Sequence, residues 1–125
     1  MDPTPAGKYG LKRVYAAPSA DDGTRILVDR LWPRGITKEK ARIDRWLKDI
    51  APSHELRNRF HGQPADWTAF CTAYAAELED PVAQAAVTEL RSYLRQGPVT
   101  LLYAARDEQR NNAVALKAWL ERRRR

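Results

Sequence analysis

The sequence predicts an α/β fold: a small central, mostly parallel β-sheet flanked by about five helices in a single compact domain. Three observations carry that prediction. Ile26-Leu27-Val28 and Val99 to Tyr103 are unbroken apolar runs of strand length, the pattern of strands buried on both faces. Apolar residues elsewhere recur at helical spacing. Strong stop and start signals, Pro52, Asp80-Pro81 and Gly97-Pro98, divide one pattern from the next.

Taken in order, residues 1–10 (MDPTPAGKYG) read as a loose Pro/Gly-rich segment, 11–121 as the α/β domain and 122–125 as a basic tail. Lys12-Arg13-Val14-Tyr15 suits a first strand, followed by the turn-rich Pro18 to Gly23. Asp22-Gly23 suits a hairpin turn, which would make the first two strands antiparallel neighbours. Thr24 to Leu31 is the second strand. From Thr37, an N-cap residue, Ile43, Trp46, Leu47 and Ile50 fall at i, i+3, i+4 and i+7, which predicts a helix stopped by Pro52. Ser53 caps a short second helix carrying Leu56 and Phe60 and ended by Gly62. Asp66 opens a third, with Trp67, Phe70, Cys71, Tyr74, Ala75 and Leu78 on one face. Asp80-Pro81 opens a fourth, with the stripe Ala83, Val87, Leu90 and Leu94. Val99 to Tyr103 is the third clear strand, expected beside Val28 in one buried sheet. Ala104 to Asp107 then turns into a last helix near Glu108, with Ala113, Leu116 and Leu120 facing the core.

Composition bounds the function. The 125 residues, 43% hydrophobic and 30% charged, are those of an ordinary globular domain. No apolar run approaches the roughly 18 residues of a membrane helix. The first ten residues hold no apolar core for a signal peptide, and one cysteine forms no internal disulfide. A cytoplasmic protein with no membrane partner is expected. The net charge of +6 and pI near 9.8 suggest nucleic acid, but four of the basic residues are Arg122 to Arg125. The tail therefore holds most of the excess, and a frayed, solvated end explains it as readily.

Two places share an architecture in which a buried strand ends in polar residues and leads towards a helix. One is Asp29-Arg30-Leu31-Trp32-Pro33-Arg34-Gly35; the other is Tyr103-Ala104-Ala105-Arg106-Asp107. Ligands of α/β sheets collect at the carboxyl ends of strands, where helix N-termini present free N–H groups. If the strands are parallel neighbours, Arg30, Arg34 and Arg106 converge on one crevice suited to a phosphate or carboxylate. Trp32 and Tyr103 would offer flat faces to a ring, and Gly35 a turn that a β-carbon would obstruct. The competing reading pairs Asp29 with an arginine, lets Trp32 cap the core and leaves the rest as loop. The residues by themselves favour neither.

Other candidates are weaker. Cys71 sits on the apolar helix face and reads as a structural thiol. His54 and His61 are seven apart, roughly 10 Å even on a continuous helix and too far for one metal, with no further Cys or His to help, so no metal is expected. His61, beside Phe60 and Gly62, is either a site residue or a C-terminal cap. Glu77 and Glu79 read as a solvated helix face. No phosphate-loop, dinucleotide or nucleophile-elbow motif occurs, and no cofactor is expected.

The strings RILVDRLWPRGI, LRNRFHG and LLYAARDEQRNNAVALKAWL together resemble the domain-of-unknown-function family 488, in its YeaO-like branch of small bacterial proteins. The likeness runs from about Lys12 to Leu120 and implies a compact α/β domain with a central sheet. On matching positions it points to Asp29, Arg30, Trp32, Pro33, Arg34, Gly35, Leu56, Arg57, Phe60, His61, Tyr103 and Asn112, without assigning them chemistry. The terminal arginine run is not part of the pattern.

Three functions compete. The first is a site for a small anionic or nucleotide-like ligand, built from Asp29, Arg30, Trp32, Arg34, Gly35, Tyr103, Arg106 and Asn112. If it turns over its ligand, His61 is the candidate acid/base catalyst. The alternative is nucleic-acid binding by the crevice arginines and the Arg122 to Arg125 tail. The third, an interaction module using Trp67, Phe70 and Tyr74, is less economical than core packing.

Overall fold

The computed structural model describes residues 9–60 and 66–122. Among these described residues four strands, β1 (Tyr9–Arg13), β2 (Thr24–Leu27), β3 (Arg45–Trp46) and β4 (Val99–Tyr103), form one sheet in the order β1-β4-β2-β3 with every pair parallel. They also hold five α-helices: α1 (Lys38–Ala41), α2 (His54–Phe60), α3 (Trp67–Glu77), α4 (Pro81–Gln96) and α5 (Asn112–Arg122). β4 has neighbours on both sides, which is why all five of its residues are buried. Leu101 pairs with Leu11 on one side and Ile26 on the other. Val28, just past β2, continues the ladder by donating its N–H to Leu102 O at 3.1 Å. Val28 and Leu101 therefore lie in adjacent buried segments, as the apolar runs predict.

Alternation along the strands divides the core in two. Ile26, Val28 and Leu101 face a large cluster with Leu56 of α2, Tyr74 of α3 and Leu78 just after it, Val87 and Leu90 of α4, and Leu116 and Leu120 of α5. Leu27 and Leu102 face a smaller one with Val14, Ala41 and Ile43. Helices α2 to α5 thus load one face of the sheet, while the segment around α1 covers the other.

Several local expectations are corrected. β2 ends at Leu27 instead of Leu31. β1 begins at Tyr9 instead of Lys12, and β1 and β2 are not an antiparallel pair, because β4 lies between them. Asp22-Gly23 makes no hairpin. Ser19 caps a 3-10 turn over Ala20–Asp22 through reciprocal bonds with the Asp21 and Asp22 region, and Gly23, at φ 64°, leads the chain into β2. The predicted helix through Ile50 stops at Ala41, where Arg42 adopts a left-handed conformation at φ 50°. Beyond it the N–H groups of Asp44 and Leu47 bond Arg25 O and Leu27 O, adding the edge strand β3, and Lys48–Ile50 forms a 3-10 turn. Pairing with the open edge of β2 satisfies backbone groups that a helix would have left there unmet. The apolar residues still bury, but Ile43 enters the small cluster while Leu47 and Ile50 enter the large one.

Elsewhere the stop and start signals act as read. Asp80 caps α4 by accepting from Val82 N–H at 3.0 Å, with Pro81 in the first turn. Ser53 Oγ accepts from Leu56 N–H at 3.1 Å and so caps α2. Glu77 is not the solvated residue its helix face suggested. Its carboxylate accepts from the Ser53 N–H at 2.8 Å and hydroxyl at 2.5 Å, clamping the start of α2 to the end of α3.

Cys71 is half-buried against the large cluster, and burial pushes its thiol pKa up despite the opposing charge of Arg122. A thiol held protonated is a poor nucleophile. Native protein at neutral pH is therefore expected to react with a thiol reagent at least about ten-fold more slowly than free cysteine. Reaction as fast as free cysteine would show that the thiol is not held by packing.

Candidate functional site

Because β2 and β4 are parallel neighbours, the loops leaving their carboxyl ends emerge together. Asp29 joins them. One carboxylate oxygen accepts from Ala104 N–H at 2.9 Å, tying the β2 exit to the β4 exit. The other accepts from Asn112 Nδ2 at 3.0 Å, and the same Nδ2 donates to Val28 O at 3.0 Å. Asp29 thus holds two strand ends and the first turn of α5 in register. Burial raises its pKa from the ordinary carboxylate value, against the pull of Asn112, the Ala104 N–H and the positive charge of Arg57.

The arginines divide by partner. Arg30 is spent on structure: Nε donates to Pro52 O and Nη2 to Ala51 O, each at 3.0 Å. Those carbonyls lie just before α2, so Arg30 fixes where that helix starts. Arg34 and Arg106 are exposed, and their guanidiniums meet no partner among the described residues. The backbone beneath Arg34 is held firmly, since Tyr15 donates its hydroxyl to Arg34 O at 2.7 Å. Trp32 donates Nε1 to Ile36 O at 2.9 Å and meets Trp46 edge-on at 5.4 Å between centroids. Pro33 is buried, and Gly35 takes φ 73°. Nothing lies within 4 Å of a β-carbon placed on Gly35, so its conformation, and not crowding, requires glycine there.

Arg30, Arg34 and Arg106 line one cavity of about 720 Å³, together with Asp29, Trp32 and Asn112. Tyr103 and Gly35 do not line it. Tyr103 is only 2% exposed, and its ring belongs to the large core cluster, so it offers no free face. Phe60, Trp67 and Phe70 give the same cavity an aromatic part to its lining. Trp67 and Phe70 stack at 5.7 Å and 14°, and Phe60 packs edge-on to Phe70 at 6.0 Å. Trp67 and Phe70 read in sequence as a core stripe or, less economically, an interaction face, because a stripe looks the same whether its end meets core or cavity. Arg57 and Arg110 also line the cavity and are exposed.

The helix termini do less than expected. The last helix begins at Asn112, not near Glu108, with Asn111 Oδ1 accepting from Val114 N–H at 2.9 Å. Asp107 folds back on its own loop, accepting from Gln109 N–H at 2.9 Å and Arg110 N–H at 3.1 Å, which holds its carboxyl below the usual range. These loop N–H groups are satisfied internally, and α1 is a single turn, so positive potential at the crevice rests on guanidiniums. His61, the candidate acid/base, lies outside the described residues, as do Arg123 to Arg125 of the tail. Among the described residues no three His, Cys, Asp or Glu side chains group as metal ligands would, and no helix is long and apolar enough to cross a membrane.

Comparison with known proteins gives this chain relatives along nearly all its length. The profile of DUF488-N3i, described as the inactive DUF488-N3 subclade, matches residues 8–125. The uncharacterized protein YeaO of Escherichia coli strain K12 is 45% identical over 109 residues, covering 87% of this chain and 93% of that protein. The uncharacterized protein Rv3073c of Mycobacterium tuberculosis is 43% identical over 111 residues, covering 89% and 92% respectively. No solved structure matches the chain.

Proposed function

This chain belongs to DUF488-N3i, the inactive DUF488-N3 subclade, and we propose that it is a cytoplasmic binding protein for a small anionic, nucleotide-like ligand. The ligand lies in the crevice at the carboxyl ends of β2 and β4. One observation carries the reading: Arg34 and Arg106, with no partner among the described residues, line a cavity whose lining is also aromatic. Exposed guanidiniums forming part of a cavity wall recognise phosphate or carboxylate. A cavity of this volume suits a small organic ligand. The family's description as inactive favours binding over turnover. Asp29, Arg30 and Asn112 build the frame, Arg34 and Arg106 supply the charge, and Trp32 with the aromatic wall supplies apolar contact.

The test is thermal stabilisation. A ligand present at about 100 times its Kd should stabilise the protein by about 2.7 kcal/mol, a rise of several degrees in Tm. Inorganic phosphate and adenosine monophosphate should both raise Tm, and the nucleotide should do so at lower concentration. Arg34→Ala and Arg106→Ala should each remove most of that rise while leaving the Tm of the free protein within about a degree or two, as for exposed side chains. Stabilisation by a short DNA duplex without any by phosphate or nucleotide would replace this reading with nucleic-acid binding.

A further inference from the structure

Resting on the anion site just described, we infer that the ligand is a phosphorylated sugar whose hydroxyls donate to Asp29 while its phosphate meets Arg34 and Arg106. An anion site normally excludes carboxylates, yet Asp29 is half-buried in the lining of this one. Among the described residues no cationic side chain hydrogen-bonds it, although the charge of Arg57 acts on it. Arg30, its neighbour in the chain, turns its fork to the carbonyls of Ala51 and Pro52 instead. Each carboxylate oxygen of Asp29 accepts one protein hydrogen bond, from Ala104 N–H or Asn112 Nδ2. A carboxylate offers about four acceptor sites, so these bonds use roughly half the capacity of a residue that lines the cavity.

A bare anion would meet both the attraction of the arginines and the repulsion of this carboxylate. A ligand with charge at one end and hydrogen-bond donors at the other satisfies both. Hydroxyl donors also answer the shortage that raises the Asp29 pKa, since burial has removed water from a carboxylate with only two donors. The aromatic wall of Phe60 and Trp67 complements the apolar face of a sugar ring. The distinction is chemical: the cavity should prefer a polyol phosphate to an alkyl phosphate of the same carbon count, although its walls would otherwise favour the alkyl chain.

The full chain is titrated with inorganic phosphate, n-pentyl phosphate and ribose 5-phosphate, reading binding by calorimetry. Ribose 5-phosphate should bind about ten- to a hundred-fold more tightly than n-pentyl phosphate, the range expected for hydrogen bonds to a charged acceptor. Asp29→Asn should abolish that preference. The comparison in the unaltered protein stands even if the variant fails to fold. Binding of n-pentyl phosphate as tight as or tighter than that of ribose 5-phosphate overturns the sugar assignment and leaves the anion site intact. Absence of binding by all three phosphates overturns the anion site itself.

Discussion

Asp22→Asn is expected to lower the unfolding free energy by about 3–5 kcal/mol at neutral pH, as when one partner of a buried ion pair is removed. Asp22 is 6% exposed and Arg25 only 3%. The Asp22 carboxylate accepts from Lys12 Nζ at 2.8 and 3.0 Å, from Ser19 N–H at 2.9 Å and from Arg25 Nη1. Arg25 spends its remaining donors on Ala41 O and Arg42 O, so this corner ties the entrance of β2 to the end of α1. An uncharged amide in place of the Asp22 carboxylate would leave a buried guanidinium without its anion. For a domain whose total stability is about 5–15 kcal/mol, that is a large fraction.

The same residue sets an acid dependence. Burial alone would raise the Asp22 pKa, but the bonds from Lys12, Ser19 and Arg25 outweigh it and hold the carboxyl below its usual value. A depressed folded pKa means that the stabilisation is fully present above the unfolded value, about 3.9, and is lost as pH falls through the folded one. Urea denaturation of the parent should therefore show stability falling below about pH 4, and Asp22→Asn should show a shallower fall from a lower plateau. A variant as stable as the parent at pH 7 would show that the cluster does not hold this corner.

Gly23→Ala should cost about 2–5 kcal/mol, combining backbone strain with overpacking. A β-carbon on Gly23 would sit 2.2 Å from Pro98 O, a backbone atom that cannot swing aside, and φ is +64°. The same carbonyl accepts from Thr24 N–H at 2.9 Å, the bond that starts the β2–β4 ladder, so relief by movement would unpair the strands. Gly35→Ala is the control. It has a similar φ of +73° but open space around its β-carbon, so it should cost only the strain, about 1–2 kcal/mol. Equal falls in Tm for the two variants would rule out crowding as the reason for Gly23.

Several elements were legible because their causes are local. An apolar run of strand length bounded by Gly97-Pro98 can bury both faces only at the centre of a sheet, and β4 sits there. Asp80-Pro81 and the Ala83, Val87, Leu90 stripe specify α4 without help from the rest of the chain. The polar exits of β2 and β4 were likewise visible, since parallel strands bring their carboxyl ends together. The failures have a common origin. Ile43, Trp46, Leu47 and Ile50 fit a helix, but the unpaired edge of β2 offered their backbone a partner that no local pattern records. Asp22-Gly23 fits a hairpin, yet the strand that lies between β1 and β2 arrives from more than seventy residues later.

The site shows the same division between residue type and partner. Sequence determined that three arginines leave two strand ends, and it determined the Asp29 and Asn112 positions that frame them. Tertiary structure decided that Arg30 is consumed by the carbonyls of Ala51 and Pro52 while Arg34 and Arg106 stay unpartnered among the described residues. It also turned Trp67 and Phe70 from a core stripe into a cavity wall, and withdrew Tyr103 into the core. Side-chain chemistry is fixed by the residue, whereas desolvation and pairing depend on which distant groups packing brings within a few ångströms.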